Sequence, residues 1–189
     1  MPIDSGSVPD QKRATVTPAE DALCILIRAN RSVQNHILKQ LNDLVLSDPY
    51  FSISPGGTTR HHDYIGGLVI HVAEVMKNVL QMTGNAPSDE LITAVIWHDY
   101  MKTKDYGLDG ETPKNMPYRK LIRHLAGSAM EFHHKARERY LITSTLEHIE
   151  HLLLSHHGRK EWGSPVEPAT AEAFILHAAD MMSATGCNL

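Results

Sequence analysis

The sequence predicts an all-α bundle, and three observations carry that expectation. Apolar residues recur at helical spacing in several separate segments. Capping and turn residues punctuate those segments, and no stretch shows the β-branched alternation of a strand. At 189 residues, with 42% hydrophobic and 21% charged residues, the chain has the makings of one globular domain with a sizeable core.

Residues 1–16 are polar and rich in Pro, Gly and Ser, which is the composition of a disordered tail. Thr17, Pro18 and Glu20 read as a capping-box helix start. That helix carries Leu23, Leu26 and Ile27 and is expected to continue through Ile37, Leu38, Leu41, Leu44 and Val45. The stretch SDPYFSISPGGTTR then breaks it as a loop. A second helix is expected over 61–82, with Leu68, Val72, Val75, Met76 and Val79 on one face. Ser88 caps a third over 89–101, and KTKDYGLDGETPKNMP follows as a polar loop. A fourth helix is expected over 118–138 and a fifth over 143–157. After the loop GRKEWGSPVEP, a last helix starts near Thr170 and runs through Phe174, Ile175 and Met181.

The formal net charge of −4 lacks the basic balance of a dedicated nucleic-acid binder. The two cysteines, Cys24 and Cys187, form neither a disulfide framework nor a zinc-thiolate spacing. No signal-peptide core opens the chain, and no run approaches the roughly 18 apolar residues of a membrane span. The expectation is a cytoplasmic protein with no membrane partner.

Thirteen histidines are the unusual feature. The segment AVIWHDYMK delivers His98 and Asp99 behind an apolar run. Buried ionisable groups cost several kcal/mol each, as a rough figure, unless they are paired or bound to metal. Similar apolar settings surround His71, His124, His156 and Asp180, in GGLVIHVAEV, LIRHLAGS, LLLSHHG and FILHAADMM. Helix bundles build metal sites from inward side chains on facing helices. Imidazole with carboxylate and no thiolate suits Mn, Fe, Zn, Co or Ni rather than calcium. Such a set is large enough for two metals sharing one carboxylate. An isolated histidine on a helix is more often a surface residue, and His36, His133, His134, His148 and His151 fit that description beside their charged neighbours. His177, one turn before Asp180, is open to either reading.

A histidine, an adjacent His-Asp pair some 25–30 residues on, further histidines and a late aspartate resemble the HD-domain metal-dependent phosphohydrolase superfamily. HHDYIGGLVIHV and LLLSHHGRKEWGSPVEPATAEAFILHAADMMSA are similar to the HD domain of bacterial 3′–5′ exoribonucleases that trim RNA using manganese. The resemblance implies an HD-domain helical bundle over 58–184, with 17–57 as an N-terminal helix and loop packed on it and 185–189 as a C-terminal tail. It implies that His71, His98, Asp99 and Asp180 hold one divalent ion, with Mn or Fe favoured, and that Asp99 bridges to a second held by His124 and His156. In the family, a water between the metals attacks phosphorus. His62 and Lys102 are then expected to face phosphate, and His157 is either a further ligand or, the preferred reading, a phosphate contact, with Arg159 a further substrate-binding candidate and Asp99 and Lys102 the catalytic pair. The family often reads His-Asp-x-Gly-Lys, whereas Met101 stands at the glycine position here.

The resulting expectation is a metal-dependent phosphohydrolase acting on a phosphate ester or phosphodiester of a nucleotide-like or other small substrate. Only about 57 residues precede the match. They read as a tail and a helix rather than as an oligonucleotide-binding barrel, which disfavours long RNA. Two alternatives use the same residues: a di-iron oxygenase, and a non-catalytic module that binds a nucleotide or a partner.

Overall fold

A computed structural model describes residues 17–58 and 61–186. The expected tail over 1–16 and Cys187 lie outside the described residues. Among the described residues, regular structure is helical except for one small hairpin.

Helix α1 (Pro18–Ser32) starts as expected. The Thr17 hydroxyl accepts from Glu20 N–H, and the Glu20 carboxylate accepts from Thr17 N–H at 2.7 Å. The continuous first helix is corrected: the chain breaks at 33–35 and resumes as α2 (His36–Leu46). The cause is a partner remote in sequence. The Asp89 carboxylate accepts from Gln34 N–H at 2.9 Å and Asn35 N–H at 2.7 Å, while the Asn35 side chain caps Ile37 and Leu38. Apolar residues recur on both sides of the break because each helix buries a face of its own, Leu26 and Ala29 in α1 and Leu38, Leu41 and Val45 in α2. A short helix α3 (Pro49–Ile53), capped by Asp48, lies inside the stretch expected as loop.

The second expected helix begins later than residue 61, as α4 (Gly67–Met82). Residues before it fold over its start, with His62 at φ 58° and its carbonyl accepting from Gly56 N–H at 2.8 Å. A Cβ on Gly67 would come within 2.0 Å of that carbonyl oxygen, so only glycine admits this close approach.

Helix α5 (Asp89–Trp97) is capped by Ser88 as expected, but it ends at Trp97 rather than near 101. Every residue from Leu91 to Trp97 is buried. A helix apolar all round belongs in the middle of a core, and α5 packs against α1, α2 and α4. The expected polar loop is corrected as well. It contains helix α6 (Lys102–Asp105) and an antiparallel hairpin of β1 (Tyr106–Asp109) and β2 (Thr112–Asn115). Tyr106 pairs with Asn115 and Asp109 with Thr112, and Gly110 turns at φ 62°.

The fourth expected helix is two: α7 (Pro117–Leu121) and α8 (His124–Glu138), separated by Arg123 at φ 68°. Helix α9 (Thr143–Ser155) packs on α5 and α8, and α10 (Ala171–Thr185), capped by Thr170, closes the bundle against α4, α5 and α9. Trp97 meets Tyr100 and Phe132 edge-on, with each pair of ring centroids 5.3 Å apart. Among the described residues, no helix is long and apolar enough to cross a membrane.

Asp89→Ala removes two charge-assisted hydrogen bonds at the α1–α2 break, and should cost about 2 kcal/mol and lower the Tm by about 4–8 °C. Thermal denaturation checks this; an unchanged Tm would mean that the break does not depend on Asp89.

Candidate metal centre

The apolar shaft of α5 ends where the polar pair begins. His98 is the C-cap residue, and Asp99 follows in a turn closed by Lys102 N–H donating to the Asp99 carbonyl at 2.8 Å. Successive residues inside a helix point about 100° apart. Past the helix end both side chains converge on one point. Met101 adopts φ −76°, an ordinary conformation for any residue, and its N–H donates to the Ser128 hydroxyl. The backbone therefore has no need of glycine there.

Five imidazoles surround Asp99, and each has one nitrogen committed behind it. His98 Nδ1 donates to the Val95 carbonyl at 2.8 Å, and His156 Nδ1 to the Leu153 carbonyl at 2.7 Å. His157 Nδ1 donates to the Trp162 carbonyl at 3.1 Å, and His124 Nδ1 to the Asp105 carboxylate at 2.7 Å. His71 Nδ1 donates to the Ser183 hydroxyl at 2.9 Å, because that hydroxyl spends its own proton on Glu74. With Nδ1 the donor to these partners, Nε2 is the nitrogen each ring turns toward the centre, and a bound cation would take the place of any proton on it.

These Nε2 atoms fall into two groups about the two oxygens of Asp99. Oδ2 lies 3.1 Å from His71 Nε2 and 3.3 Å from His98 Nε2, and Asp180 Oδ1 lies 3.1 Å from His71 Nε2. Oδ1 lies 3.4 Å from His124 Nε2 and 3.8 Å from His156 Nε2, while His157 Nε2 is 3.3 Å from His124 Nε2. Ligand atoms within each of the sets His71, His98, Asp99, Asp180 and His124, His156, His157 lie within 4.8 Å of one another. Asp99 Oδ1 and His156 Nε2 are buried without any hydrogen-bond partner. Acceptors that face each other in a buried space fit a cation between them. The donor set, nitrogen and carboxylate oxygen, fits a divalent transition metal.

Charge follows the same geometry. Burial disfavours the charged form of His71, but the carboxylates of Asp180 and Asp99 outweigh it and raise the imidazole to about 9. Burial alone would raise Asp99, yet Lys102, His98 and His124 hold its carboxyl well below the ordinary range. His156 is pushed well down by burial and by its neighbours His157 and His98, which leaves it neutral. Burial would lower Lys102, but Asp99 and Asp180 keep it charged. Its Nζ lies 2.6 Å from Asp99 Oδ2.

An open cavity of about 380 Å³ lies over the centre, and His62, Lys102 and His157 line it. His62 Nε2 sits 3.2 Å from the Glu74 carboxylate. Arg159 is not brought into this cavity. Its extended backbone carries the guanidinium over the Trp162 ring, 5.0 Å from the centroid, beside a different hollow. His157, expected as a phosphate contact, stands among the imidazoles of the second set. His177 donates from Nδ1 to the His156 carbonyl and stands behind the centre rather than in it. Four other histidines behave as surface groups: His133 pairs with Glu150, His148 with Glu172 and His134 with Glu138, and His151 accepts from Ala169 N–H.

Sequence reasoning missed Asp105, Ser183 and Glu74, which orient ligands, and His61, Tyr106 and Arg119, which line the cavity. Asp105 gave no signal, because it lies in a polar segment that only the structure folds against His124. Nor did the others, since each depends on tertiary contact.

Asp99→Ala should abolish metal binding with the helices intact, whereas His133→Ala and His148→Ala should leave metal content unchanged. Asp105→Asn should weaken affinity at the second set about 10–100-fold through loss of imidazole orientation. Metal analysis and titration with circular dichroism check all four variants; a metal-replete Asp99→Ala protein would sink the assignment.

The HD domain family model matches residues 68–185. The chain is 32% identical over 158 residues to the 3′-5′ exoribonuclease YhaM of Bacillus pumilus, covering 80% of this chain and 47% of that protein. It is 33% identical over 134 residues to the protein of that name in Bacillus subtilis, and 34% identical over 134 residues to that in Listeria innocua; each match covers 69% of this chain and 42% of the relative. The chain thus spans less than half the length of these curated relatives. No solved structure matches. A family match across most of the bundle, on a chain whose histidines and aspartates converge in this way, means that the chain belongs to the HD-domain superfamily of metal-dependent phosphohydrolases.

Proposed function

We propose that the protein hydrolyses a phosphodiester or phosphate ester of a nucleotide-like substrate at a centre of two divalent metals. The observation that carries this is the convergence of four imidazole Nε2 atoms on the two oxygens of Asp99, with a fifth, from His157, beside His124, under an open cavity that Lys102 also lines. His71, His98, Asp99 and Asp180 would hold one ion, and Asp99 with His124, His156 and His157 the other. Bound there, divalent metals would lower the pKa of a water and polarise a phosphoryl oxygen.

The chain's own groups do the rest. Lys102, kept protonated by Asp99 and Asp180, places a cation on the cavity floor for the phosphoryl charge. His62 is pushed down by burial and by His71, so it is neutral at pH 7, and Glu74 holds its ring on the wall. Arg119 adds a second cation to the lining. These cations favour an anionic phosphate substrate over oxygenase chemistry on the same ligands. The exoribonuclease activity in the relatives' names makes nucleic acid a reasonable source of the phosphodiester.

Purified protein supplied with manganese should cleave bis-p-nitrophenyl phosphate or a nucleotide substrate, and EDTA should stop turnover. Lys102→Ala should lower kcat/KM by about 10²–10³-fold, the usual cost of losing one group that stabilises developing charge. No hydrolysis with any divalent metal, together with oxygen-dependent turnover of the iron-loaded protein, would replace this reading by the oxygenase.

A further inference from the structure

We propose that Glu74 is a positioning residue that couples the first ligand set to the cavity wall: one of its carboxylate oxygens holds His62 and, through Ser183, the ring of His71. This rests on the hydrolytic reading above and adds regulation to it. Filling the first set and seating phosphate beside His62 become linked events.

The residues come in matched pairs on two facing helices. On α4, Glu74 follows His71 by three residues; on α10, Ser183 follows Asp180 by three. Residues three apart lie on one helix face, so each helix presents a ligand and, one turn on, a supporting group. The pairs are cross-bonded. His71 Nε2 lies 3.1 Å from Asp180 Oδ1. Behind them, His71 Nδ1 donates to Ser183 Oγ at 2.9 Å, and Ser183 donates to Glu74 Oε2 at 2.7 Å. The Asn78 amide donates to the Ala179 carbonyl at 3.2 Å and ties the same two helices.

A second donor reaches the same Glu74 oxygen. His62 Nε2 lies 3.2 Å from Oε2, so one chain runs from His71 through Ser183 and Glu74 to His62. Its far end is fixed by the backbone. His62 sits at φ 58°, its carbonyl accepts from Gly56 N–H, and a Cβ on Gly56 would come within 2.8 Å of the His62 Cβ. Backbone strain of this kind persists where the surrounding structure imposes it, and it clusters at ligand clamps. The His62 side chain is 11% exposed and lines the cavity over the metal centre. With Nε2 given to Glu74, Nδ1 is the nitrogen left for a ligand, and it can accept the O–H of a phosphate.

Ordering supplies the coupling. With a cation on Nε2, the His71 ring is a stronger donor from Nδ1, and the bonds through Ser183 strengthen one another. The Glu74 side chain is 26% exposed and rich in rotamers, so holding it costs entropy. The partner that fixes it first spares the other that cost, which makes the coupling positive. It is also reciprocal: phosphate raises metal affinity by the factor by which metal raises phosphate affinity. The second set is built differently. Among the described residues Asp105 accepts only from His124, and its other oxygen has no partner. The link to the wall therefore runs through the first set.

The test measures Mn²⁺ binding to the full chain by electron paramagnetic resonance, without and with saturating inorganic phosphate, after correction for the manganese–phosphate complex in solution. The ratio of the two affinities is the coupling factor. Direct contact between metal and phosphate contributes to it in every variant, so the readout is its change when the chain is cut. Ser183→Ala leaves His62, Glu74 and every ligand in place, and should lower the factor about fivefold, the low end of ordinary coupling between sites. Glu74→Ala should lower it equally and the double variant no further, because both cut one chain. Glu74→Gln, whose amide oxygen still accepts, should restore part of the factor. His62→Ala should lower it while Mn²⁺ affinity without phosphate stays near that of the unaltered chain. Circular dichroism should show the same helix content in all. Additive losses overturn the coupling, as does a factor unchanged in Ser183→Ala and His62→Ala, whether or not Mn²⁺ affinity falls. An unchanged factor in a protein that hydrolyses phosphate esters removes only the coupling; a lowered factor without hydrolysis of any ester removes only the hydrolytic reading.

Discussion

The polar centre of this bundle depends on imidazoles that give one N–H to an acceptor behind them and turn the other nitrogen inward, four of them toward Asp99 and His157 toward His124. The acceptors are of two kinds. His98 and His156 each bond the carbonyl three residues earlier, Val95 and Leu153, at the ends of α5 and α9. The last carbonyls of a helix have no partner within it, so a histidine placed one residue past the helix end finds an acceptor waiting. His71, His124 and His157 have no such local solution and lean on Ser183, Asp105 and the Trp162 carbonyl. Two of the imidazoles are therefore oriented by their own helices, and three only once α6, α10 and the loop after α9 have docked.

This division explains why α5 is so apolar. Its C-terminus has to sit at the meeting point of the other ligand-bearing elements, so the whole helix is drawn into the core. Residues from Leu91 to Trp97 are all buried, and α9 and α10 pack against it. The polar pair at its tip is tolerable because Lys102, His71 and the neighbouring imidazoles face it. Losing Asp99 would leave several imidazole nitrogens and one buried ammonium without their common partner, a more serious change than losing any single histidine.

Much of this was legible beforehand. The helical class, the caps at Thr17, Ser88 and Thr170, and the order of the ligand-type residues could all be read from local pattern, because caps and apolar stripes act over three or four residues. What could not be read were interruptions imposed from a distance. The break before Asn35 depends on Asp89, and Arg123 accepts its unusual backbone in a segment whose composition reads as plain helix. The hairpin hid for another reason: a Thr-Pro-Lys-Asn strand has almost no β signature, and Asp109–Gly110 was its one turn signal. At the site, residues that face inward from apolar helices announced themselves, whereas Asp105, Tyr106 and Arg119 sit in a polar excursion that resembles ordinary surface.

That excursion is anchored at both ends by the centre itself. It leaves the bundle at Lys102, three residues after Asp99, and re-enters at His124, whose backbone and Nδ1 both bond Asp105. Between those anchors Asp105 and Tyr106 are buried, but the rest packs lightly: none in α7 is buried, and among the described residues the mostly exposed strand β2 pairs only with β1. The bundle thus holds the ligands rigid, while a short, tethered segment carries Tyr106, Arg119, Lys120 and Arg123 to the rim. Under the proposed function, changes between 106 and 123 would alter the cavity lining at Tyr106 and Arg119 without disturbing α5. The reverse does not hold, because Asp105 joins the end of that segment to a ligand. A shift of the hairpin strong enough to move Asp105 would reach the second ligand set through His124.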